Sequence, residues 1–310
     1  MTLAFVDRLC SELGVRRRDM VEKDILLHQV LTDLSNNKFF AKNMLFKGGT
    51  CLIKHYLGYL RFSEDMDFTW KDQSQFEGKT AGKIRSDLSD VINKVGETFE
   101  GIALKRGLDF RCVKSNKEYV ELGGSNKTCT FKVWYNSEVL KKRTFFKVQV
   151  NFVEEICAGP KRGKLRSILD GNEEELAALF PEEYHEYSSA IPFAMYDAGE
   201  ILSEKMRAIL TREGVKARDF LDIFLISKKL GIRPEDAEDC VIKKVNHALR
   251  LYEKYRVNLN AKVKLLEQDN IFEWGTEKDL LLAELDEDEF YRFVGEFTEY
   301  LKTLVRKFEK

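Results

Sequence analysis

The chain has 310 residues, a formal net charge of −1 and a hydrophobic fraction of 44%. This length suffices for one large domain or two ordinary domains with a substantial core. The near-zero net charge excludes a bulk polybasic character of the kind that binds nucleic acid nonspecifically. No apolar run approaches the ~18 residues that a membrane helix needs, and acidic and basic residues come too early for a secretory signal. We therefore expect a cytoplasmic protein that makes no membrane contact.

Cysteine and histidine usage argues against cross-links and zinc. Six cysteines are scattered along the chain without a CxxC pair, which is typical of reduced cytosolic thiols in a chain of this length. The four histidines show no metal-ligand spacing, so we do not expect a zinc site.

The first half of the chain alternates between helical and strand patterns. Apolar residues at helical spacing predict helices over residues 3–13, 20–35, 50–59 and 81–105. Alternating or apolar runs predict strands over residues 65–70, 108–114, 117–122, 128–136 and 144–153. A short apolar run at residues 44–46 comes directly before a Gly-Gly turn.

The second half is predominantly helical. A loop rich in glycine and basic residues is predicted over 158–172. Helices are predicted over residues 173–180, 197–212, 217–230, 234–255, 259–267, 277–285 and 287–309. We therefore expect an α+β (mixed α/β) fold, with an α/β domain over residues 1–170 and a helical domain, a C-terminal bundle, over residues 171–310.

A tight turn and a pair of carboxylates stand close together in the chain. Gly48 and Gly49 lack a Cβ, so backbone N–H groups can approach a phosphate there, and Thr50 adds a hydroxyl at a helix N-terminus. Asp65 and Asp67 are two residues apart on a predicted strand and therefore share a face. Two carboxylates on one face suit Mg²⁺, which prefers a few carboxylates together with phosphate oxygens.

Two neighbouring residues fit the same site. Ser63 offers a further hydroxyl to the phosphates, and Arg61 either contacts phosphate or braces the loop through an ion pair. Each short motif alone also occurs on ordinary turns and strands, but their order and spacing together indicate a metal-dependent nucleotide-transfer site.

A second cluster lies in the helical half. Lys205 and Arg212 are seven residues apart and share a helix face. Arg218, Asp219 and Asp222 begin the next predicted helix, where an acidic residue in the first turn also suits the helix dipole. Spacing alone favours helix capping and surface ion pairs as the interpretation of this cluster.

Taken together, the two clusters resemble the AbiEii/AbiGii toxin family of nucleotidyltransferases, members of the DNA polymerase β-like superfamily. That family is marked by a KGGTxL turn and helix, an RxSxDxD strand, and a later EKxxAxxxR…RDxxD helical pair. The matching residues here are Lys47–Leu52, Arg61–Asp67, Glu204–Arg212 and Arg218–Asp222. The match spans roughly residues 20–230.

The resemblance implies a nucleotidyltransferase-type mixed sheet with flanking helices in the first domain, and a site completed by the second. Asp65 and Asp67 would be ligands of Mg²⁺ (or Mn²⁺), and Lys205 would contact the nucleoside triphosphate. Asp219 would be a further essential acid, either a base or an orienting group. Gly48, Gly49, Thr50, Arg61 and Ser63 would bind the nucleotide.

One position departs from the superfamily pattern. Polymerase β-like enzymes usually place a third carboxylate on a neighbouring strand, where it can activate the attacking hydroxyl. The matching strand here, 144–153, is predicted to turn Lys147, Gln149 and Asn151 to its polar face. Either Asp219 or Glu154, just past the strand, takes this role, or the chemistry is slower or altered; the family motif favours Asp219.

The resemblance also implies a function. Family members act as toxins of toxin–antitoxin or phage-defence modules, transfer a nucleotide from an NTP to an acceptor such as tRNA, and have a cognate antitoxin. We therefore expect transfer of NMP to an RNA end or a protein hydroxyl. The alternative is an NTP-binding module on the same scaffold that does not transfer, which the missing third acid favours. A small-molecule acceptor such as an aminoglycoside is a weaker option.

Charge and aromatic residues suggest where partners would bind. The basic segment 141–166 could follow acceptor phosphates. The aromatic residues that could stack on bases are Trp134, Tyr135, Phe145 and Phe146, although core packing is the commoner role. The acidic region 267–289 could face a basic partner or only maintain solubility.

Overall fold

The computed structural model describes residues 2–268 and 271–308. Its helices are α1 (Leu3–Leu13), α2 (Arg18–Asn36), α3 (Lys38–Asn43), α4 (Gly48–Cys51), α5 (Ala81–Arg106), α6 (Glu174–Leu179), α7 (Pro181–Ser188), α8 (Ala198–Thr211), α9 (Ala217–Leu230), α10 (Glu238–Leu251), α11 (Glu253–Glu267) and α12 (Glu287–Val305). Helix α4 continues directly into a π-helical segment, Leu52–Leu57.

Seven strands form one mixed sheet. They are β1 (Met44–Lys47), β2 (Met66–Trp70), β3 (Val120–Gly123), β4 (Thr128–Ser137), β5 (Lys142–Asn151), β6 (Lys161–Leu165) and β7 (Ile191–Met195). Their order is β3-β4-β5-β2-β1-β7-β6. Pairs β2–β5 and β1–β7 are parallel, and the other four are antiparallel. The mixed α/β fold expected from the sequence is confirmed.

The described residues divide into two compact units. The first comprises Met1–Val153 and Pro160–Met195, and the second comprises Glu154–Gly159 and Tyr196–Lys310. The first unit extends past the boundary expected near residue 170, because β7 pairs with β1 and β6 pairs with β7. The short segment Glu154–Gly159 leaves the first unit and returns to it.

Aromatic rings in edge-to-face and tilted contacts form part of the core of the first unit. Phe40 of α3 contacts Phe68 of β2 and Phe99 of α5, with ring centroids 4.9 and 5.9 Å apart. Phe99 also contacts Phe131 of β4 at 5.2 Å. All four side chains are almost fully buried, and burying a side chain of this size contributes about 1.5–3 kcal/mol. This core supports the face of the sheet opposite the charged residues described below.

Most of the predicted elements are confirmed, but several segments differ. The helix predicted over 277–285 is only a short 3-10 helix, Thr276–Leu280, and the helix predicted over 234–255 ends at Leu251. Residues 108–114 form no strand and contribute only an isolated bridge between Asp109 and Trp134. The predicted loop over 158–172 contains strand β6, and the predicted helical half contains strand β7. Strand β6 is an edge strand rich in lysine and arginine, a composition that protects sheet edges but hides the strand signal.

The described part of the second unit is mainly helical, and its irregular stretches include Glu154–Gly159 and residues 271–275 and 281–286. A disulfide joins Cys157 of the first of these stretches to Cys240 of α10, with Cα atoms 5.8 Å apart. The expectation that all six cysteines are reduced is therefore wrong, because the fold brings together two residues separated by 83 positions. Nearby, the fully buried Lys244 pairs with Glu200 at 2.6 Å.

Across residues 2–268 and 271–308, no helix is both long enough and apolar enough to cross a membrane.

Candidate functional site

The turn between β1 and α4 packs directly against a carboxylate. Gly48 has φ +73°, and a Cβ added to it would lie 2.3 Å from Oδ2 of Asp67. A Cβ on Gly49 would lie 2.7 Å from a guanidinium nitrogen of Arg61 and 3.3 Å from Oγ of Ser63. At both positions a Cβ would collide with a neighbouring side chain, so glycine is required. At Gly48 the left-handed backbone conformation also favours glycine. The two motifs found in the sequence form one packed unit.

Asp67 lies on β2, and Asp65 directly precedes this strand. The burial of the neighbouring residues alternates, which agrees with the prediction of a shared face. Met66 and Phe68 between and after them are buried, whereas both aspartates are half-buried. Oδ1 of Asp65 accepts a hydrogen bond of 3.3 Å from the backbone N–H of Lys147 on β5. Two adjacent carboxylates with access to solvent are a donor set that fits a hard divalent cation.

The hydroxyl of Thr50 connects the turn to the carboxylate strand. Its Oγ1 is hydrogen-bonded to Oγ of Ser63 at 2.8 Å and to the backbone carbonyl of Asp65. Thr50 is buried at 1% exposure. Its side chain therefore holds the two motifs together, which leaves the backbone N–H groups at the start of α4 as the donors of this turn.

Arg61 is also a bracing residue in this structure. It is buried at 2% exposure, and its Nη1 donates to the carbonyl of Phe62 at 2.7 Å. Its Nη2 packs against Gly49. Of the two roles that the sequence left open, these contacts match bracing of the loop.

The neighbouring strand carries the polar face that the sequence predicted. In the parallel β2–β5 pair, Asp67 is aligned with Gln149, and Val148 and Val150 point into the core. The residues that β5 turns towards the aspartate face are thus Lys147, Gln149 and Asn151. None of them is a carboxylate, so the departure from the superfamily pattern is real at this strand.

Lys47, the first residue of the KGGTxL motif, has a neighbour across the sheet that the motif does not show. In the antiparallel β1–β2 pair it stands directly opposite Asp67, and it is only 4% exposed. Cβ atoms of such pairs are ~4.5–5.5 Å apart, so this buried lysine is a cross-strand neighbour of one of the two aspartates. The pairing of Lys47 with Asp67 follows from the antiparallel register of the two strands, which residue spacing alone does not reveal.

The second cluster forms as predicted between α8 and α9 in the second unit. Nζ of Lys205 is 3.2 Å from Oδ1 of Asp219 and 2.5 Å from Oδ2 of Asp222. Nη1 of Arg212 lies 2.8 Å from Oδ2 of Asp219. These are buried or half-buried contacts, unlike the weak surface ion pairs that spacing alone suggested.

The charge of this cluster determines the protonation of Asp219. Burial alone would raise its pKa, but Lys205 and Arg212 outweigh this effect and lower the pKa from 3.8 to about 2. A carboxylate with so low a pKa is a weak proton acceptor at neutral pH. The structure therefore favours an orienting role for Asp219, holding the lysine, over the role of general base.

The basic segment 141–166 does not form one surface. Its first part lies on β5 and its last part on β6, and strands β2, β1 and β7 stand between them. Four strand spacings correspond to roughly 19 Å. The chain crosses the sheet between the two groups of cations, so a role of this segment in following acceptor phosphates stays a prediction that involves two separate strands.

The four aromatic residues near this segment divide between two faces. Tyr135 and Phe146 are buried in the core. Trp134 and Phe145 are half-buried on the opposite face, with centroids 4.7 Å apart. The guanidinium of Arg143 covers the Trp134 ring at 4.0 Å. Core packing thus accounts for Tyr135 and Phe146, in agreement with the role that is commoner for aromatic residues.

Comparison with known proteins identifies the family. The model of the family described as nucleotidyl transferase AbiEii toxin, type IV TA system, matches residues 29–307. No curated protein sequence matches the chain. The fold is similar to that of MenT4, a nucleotidyltransferase toxin from Mycobacterium tuberculosis H37Rv, with a TM-score of 0.57 and 18% identity over 99% of this chain and 90% of that chain. JHP933 from Helicobacter pylori gives a TM-score of 0.45 and 15% identity over 93% and 94% of the two chains.

The family match includes the glycine turn, the carboxylate strand and the lysine-bearing helix described above. The likeness to MenT4 shows that the two chains share a fold. The chain therefore belongs to the AbiEii nucleotidyltransferase toxin family of type IV toxin–antitoxin systems, and it is a nucleotidyltransferase.

Proposed function

We propose that this protein catalyses Mg²⁺- or Mn²⁺-dependent transfer of NMP from an NTP to a hydroxyl of an RNA acceptor, such as a tRNA-like end. The oxygen of the acceptor hydroxyl forms a bond to the α-phosphorus, the bond to the β-phosphate breaks, and pyrophosphate leaves. The observation that carries the proposal is the packing of Gly48 against Asp67, which brings a phosphate-binding turn to a carboxylate pair.

Asp65 and Asp67 are the proposed metal ligands. When bound, the divalent cation would neutralise charge on the triphosphate. The backbone N–H groups of Gly48, Gly49 and Thr50 at the start of α4 are the proposed phosphate donors. Ser63 lies beside this turn and offers its hydroxyl, while the buried Arg61 keeps the loop in place.

Lys205 is proposed to contact the triphosphate, as the family motif implies. Asp219 and Asp222 then orient its ammonium group, in agreement with the contacts within α8 and α9. With Asp219 held strongly ionised, we do not assign it the role of base. Glu154 remains the other candidate acid, and its substitution by glutamine tests that role.

We also propose an antitoxin partner and a cytoplasmic location for this protein. A cognate antitoxin that suppresses the transfer follows from the type IV family. Action in the cytoplasm is supported by the requirement for an NTP. A protein hydroxyl is the competing acceptor, and the labelling experiment below separates the two.

The test is incubation of the protein with each labelled NTP, Mg²⁺ and total cellular RNA. We expect label from one NTP on one RNA class, and loss of labelling in Asp65→Asn. Asp72→Asn is a matched control, because Asp72 follows the same strand and its carboxylate accepts from Ser74 instead of lining the site. Label on protein in place of RNA would contradict the proposed acceptor.

A second function, an NTP-binding module without transfer, is favoured by the absence of a carboxylate among Lys147, Gln149 and Asn151. That function predicts saturable NTP binding together with no label on RNA or protein. The same samples can be analysed by equilibrium dialysis, so one experiment distinguishes the two functions.

A further inference from the structure

A fully buried ion pair lies behind the glycine turn, in the first unit. Helix α4 and its π-helical continuation place Lys54 on the side that packs against α2. Nζ of Lys54 is 2.9 Å from Oδ1 and 3.0 Å from Oδ2 of Asp24. The two side chains are only 1% and 3% exposed.

Two tyrosines complete the cluster. The hydroxyls of Tyr59 and Tyr187 donate to Oδ2 of Asp24 at 2.8 and 2.6 Å. The Tyr59 hydroxyl also accepts from Lys54 at 2.5 Å. Three donors from the 48–57 helix, the loop after it and α7 thus converge on one carboxylate of α2. We call these four residues the Asp24 cluster.

Stability alone is a poor explanation for such a cluster. Removing two charges from water costs several kcal/mol per ion, and well-packed apolar residues of similar volume often stabilise a core as much or more. The charged groups contribute directional hydrogen bonds. Three donors can reach one carboxylate together only when the helix lies in one arrangement. The cluster therefore defines the position of the helix more narrowly than apolar packing would.

The other side of this helix is held as well. The carbonyl of Lys54 accepts from the backbone N–H of Arg166 at 2.8 Å, and Nδ1 of His55 hydrogen-bonds with the carbonyl of Lys164 at 3.0 Å. A Cβ on Gly163 would lie 2.3 Å from the His55 ring, so that strand β6 accepts the ring only because residue 163 is glycine. The C-terminal half of the helix is thus fixed on two sides.

The first turn of the same helix contains Gly48, Gly49 and Thr50. Gly48 already touches the carboxylate of Asp67, so a small rotation of the helix would press the turn into the metal ligands or withdraw it from them. The affinity of the turn for a triphosphate should therefore depend on the position of the helix.

We propose that Asp24, Lys54, Tyr59 and Tyr187 are positioning residues for nucleotide binding, which hold the 48–57 helix so that its first turn meets the triphosphate. This inference rests on the proposed function, because it assumes that the turn binds an NTP. The inference predicts that substitutions in the cluster lower the affinity for NTP more than they lower the rate of transfer at saturating NTP.

The test compares two carboxylate-to-amide changes on α2. Asp24→Asn removes the acceptor of the cluster. Glu22→Gln is the matched control, because Glu22 is 1% exposed on the same helix but accepts from Ser137 and from the backbone N–H of Glu138 at 2.7 Å. Tyr59→Phe is a milder variant that removes one hydroxyl and keeps the ring.

The full-length chain is used throughout. Thermal unfolding measures stability, equilibrium dialysis with each NTP and Mg²⁺ measures affinity, and turnover gives KM and kcat. We expect about tenfold weaker NTP binding in Asp24→Asn and a smaller loss in Tyr59→Phe, with KM raised and kcat retained. Glu22→Gln is expected to lose stability without losing affinity.

Several outcomes would overturn the inference. Unchanged NTP affinity in Tyr59→Phe and in folded Asp24→Asn excludes a positioning role, and an equal loss in Glu22→Gln shows general destabilisation. If Asp24→Asn does not fold, Tyr59→Phe alone decides the question. Wild-type NTP affinity in Tyr59→Phe would then still exclude a positioning role for the cluster. A wild-type chain that binds no NTP overturns the proposed function and this inference together, whereas wild-type binding with unchanged variants overturns the inference alone.

Discussion

Gly48 and Asp67 are in such close contact that no other residue fits at position 48. An added Cβ would lie 2.3 Å from the carboxylate oxygen and 2.9 Å from the Cβ of Asp67. The residue that makes the turn and a proposed metal ligand therefore cannot vary independently, and changes at either one should act on the same step.

The first prediction concerns Gly48→Ala. We expect loss of nucleotide transfer by at least ~100-fold, because the methyl group displaces Asp67. Gly14→Ala is the control for backbone strain, since Gly14 has φ +65° but has nothing within 4 Å of an added Cβ. It should cost about 1–2 kcal/mol of stability and leave transfer intact. Equal activity losses in the two variants would show that strain, not contact with Asp67, is responsible.

The second prediction concerns the pH dependence of stability through Asp219. Its pKa is lowered from 3.8 to about 2, so the ionised form stabilises the folded state above the unfolded pKa and that contribution is lost as pH falls through the folded pKa. The free-energy difference between wild type and Asp219→Asn should be constant above pH ~5 and shrink between pH ~4 and ~2.

Chemical denaturation from pH 2 to pH 7 measures this difference. The lowered pKa corresponds to about 2 kcal/mol at neutral pH. The exposed Asp239, for which the same substitution should change stability little, is a control on the next helix, α10. A difference that grows towards low pH would contradict the assigned charges.

The third prediction concerns the disulfide. Alkylation of the unreduced, denatured protein should modify Cys10, Cys51, Cys112 and Cys129 and spare Cys157 and Cys240. Reduction, or Cys157→Ser with Cys240→Ser, should lower the free energy of unfolding by about 2–4 kcal/mol, because the bond closes a long loop. Cys112→Ser should not abolish the response to reductant. Modification of all six cysteines before reduction would refute the cross-link.

The fourth prediction compares a buried with an exposed ion pair in the second unit. Lys244→Met leaves the buried Glu200 without its cation, although the backbone N–H groups of Cys157 and Ala158 still donate to its carboxylate. This loss should cost about 3–5 kcal/mol. Lys307→Met removes the partner of Glu238 at the surface, which should cost no more than ~1 kcal/mol. Urea denaturation of both variants measures which one loses more free energy of unfolding. Similar losses in the two variants would contradict the burial of Lys244.

Local patterns were sufficient to predict the parts of the fold with strong periodicity. The alternation of Val148 and Val150 with polar residues correctly gave strand β5, and the strand predicted from Asp65 is observed from Met66. The strand within the basic loop was missed, because Lys161 and Arg162 carry charges that suit a sheet edge and resemble a loop.

Relationships between distant segments could not be predicted in the same way. Lys47 meets Asp67 only through the register of β1 and β2, and Asp24 meets Lys54 across a helix-packing contact 30 positions apart. The family motif named Lys205 and Asp219, which are in contact in the structure, because a motif carries long-range information that periodicity lacks. Their role at the site stays a prediction.

The path of the chain through residues 154–159 limits how the protein can be divided. The polypeptide leaves the sheet-bearing unit after Val153, returns at Pro160 and departs finally after Met195. A fragment that starts at Tyr196 would therefore lack Cys157 and the carbonyl of Glu155 that accepts from Lys244. Cutting a single peptide bond cannot yield both halves intact, so the helical portion should be produced only together with the segment that precedes β6.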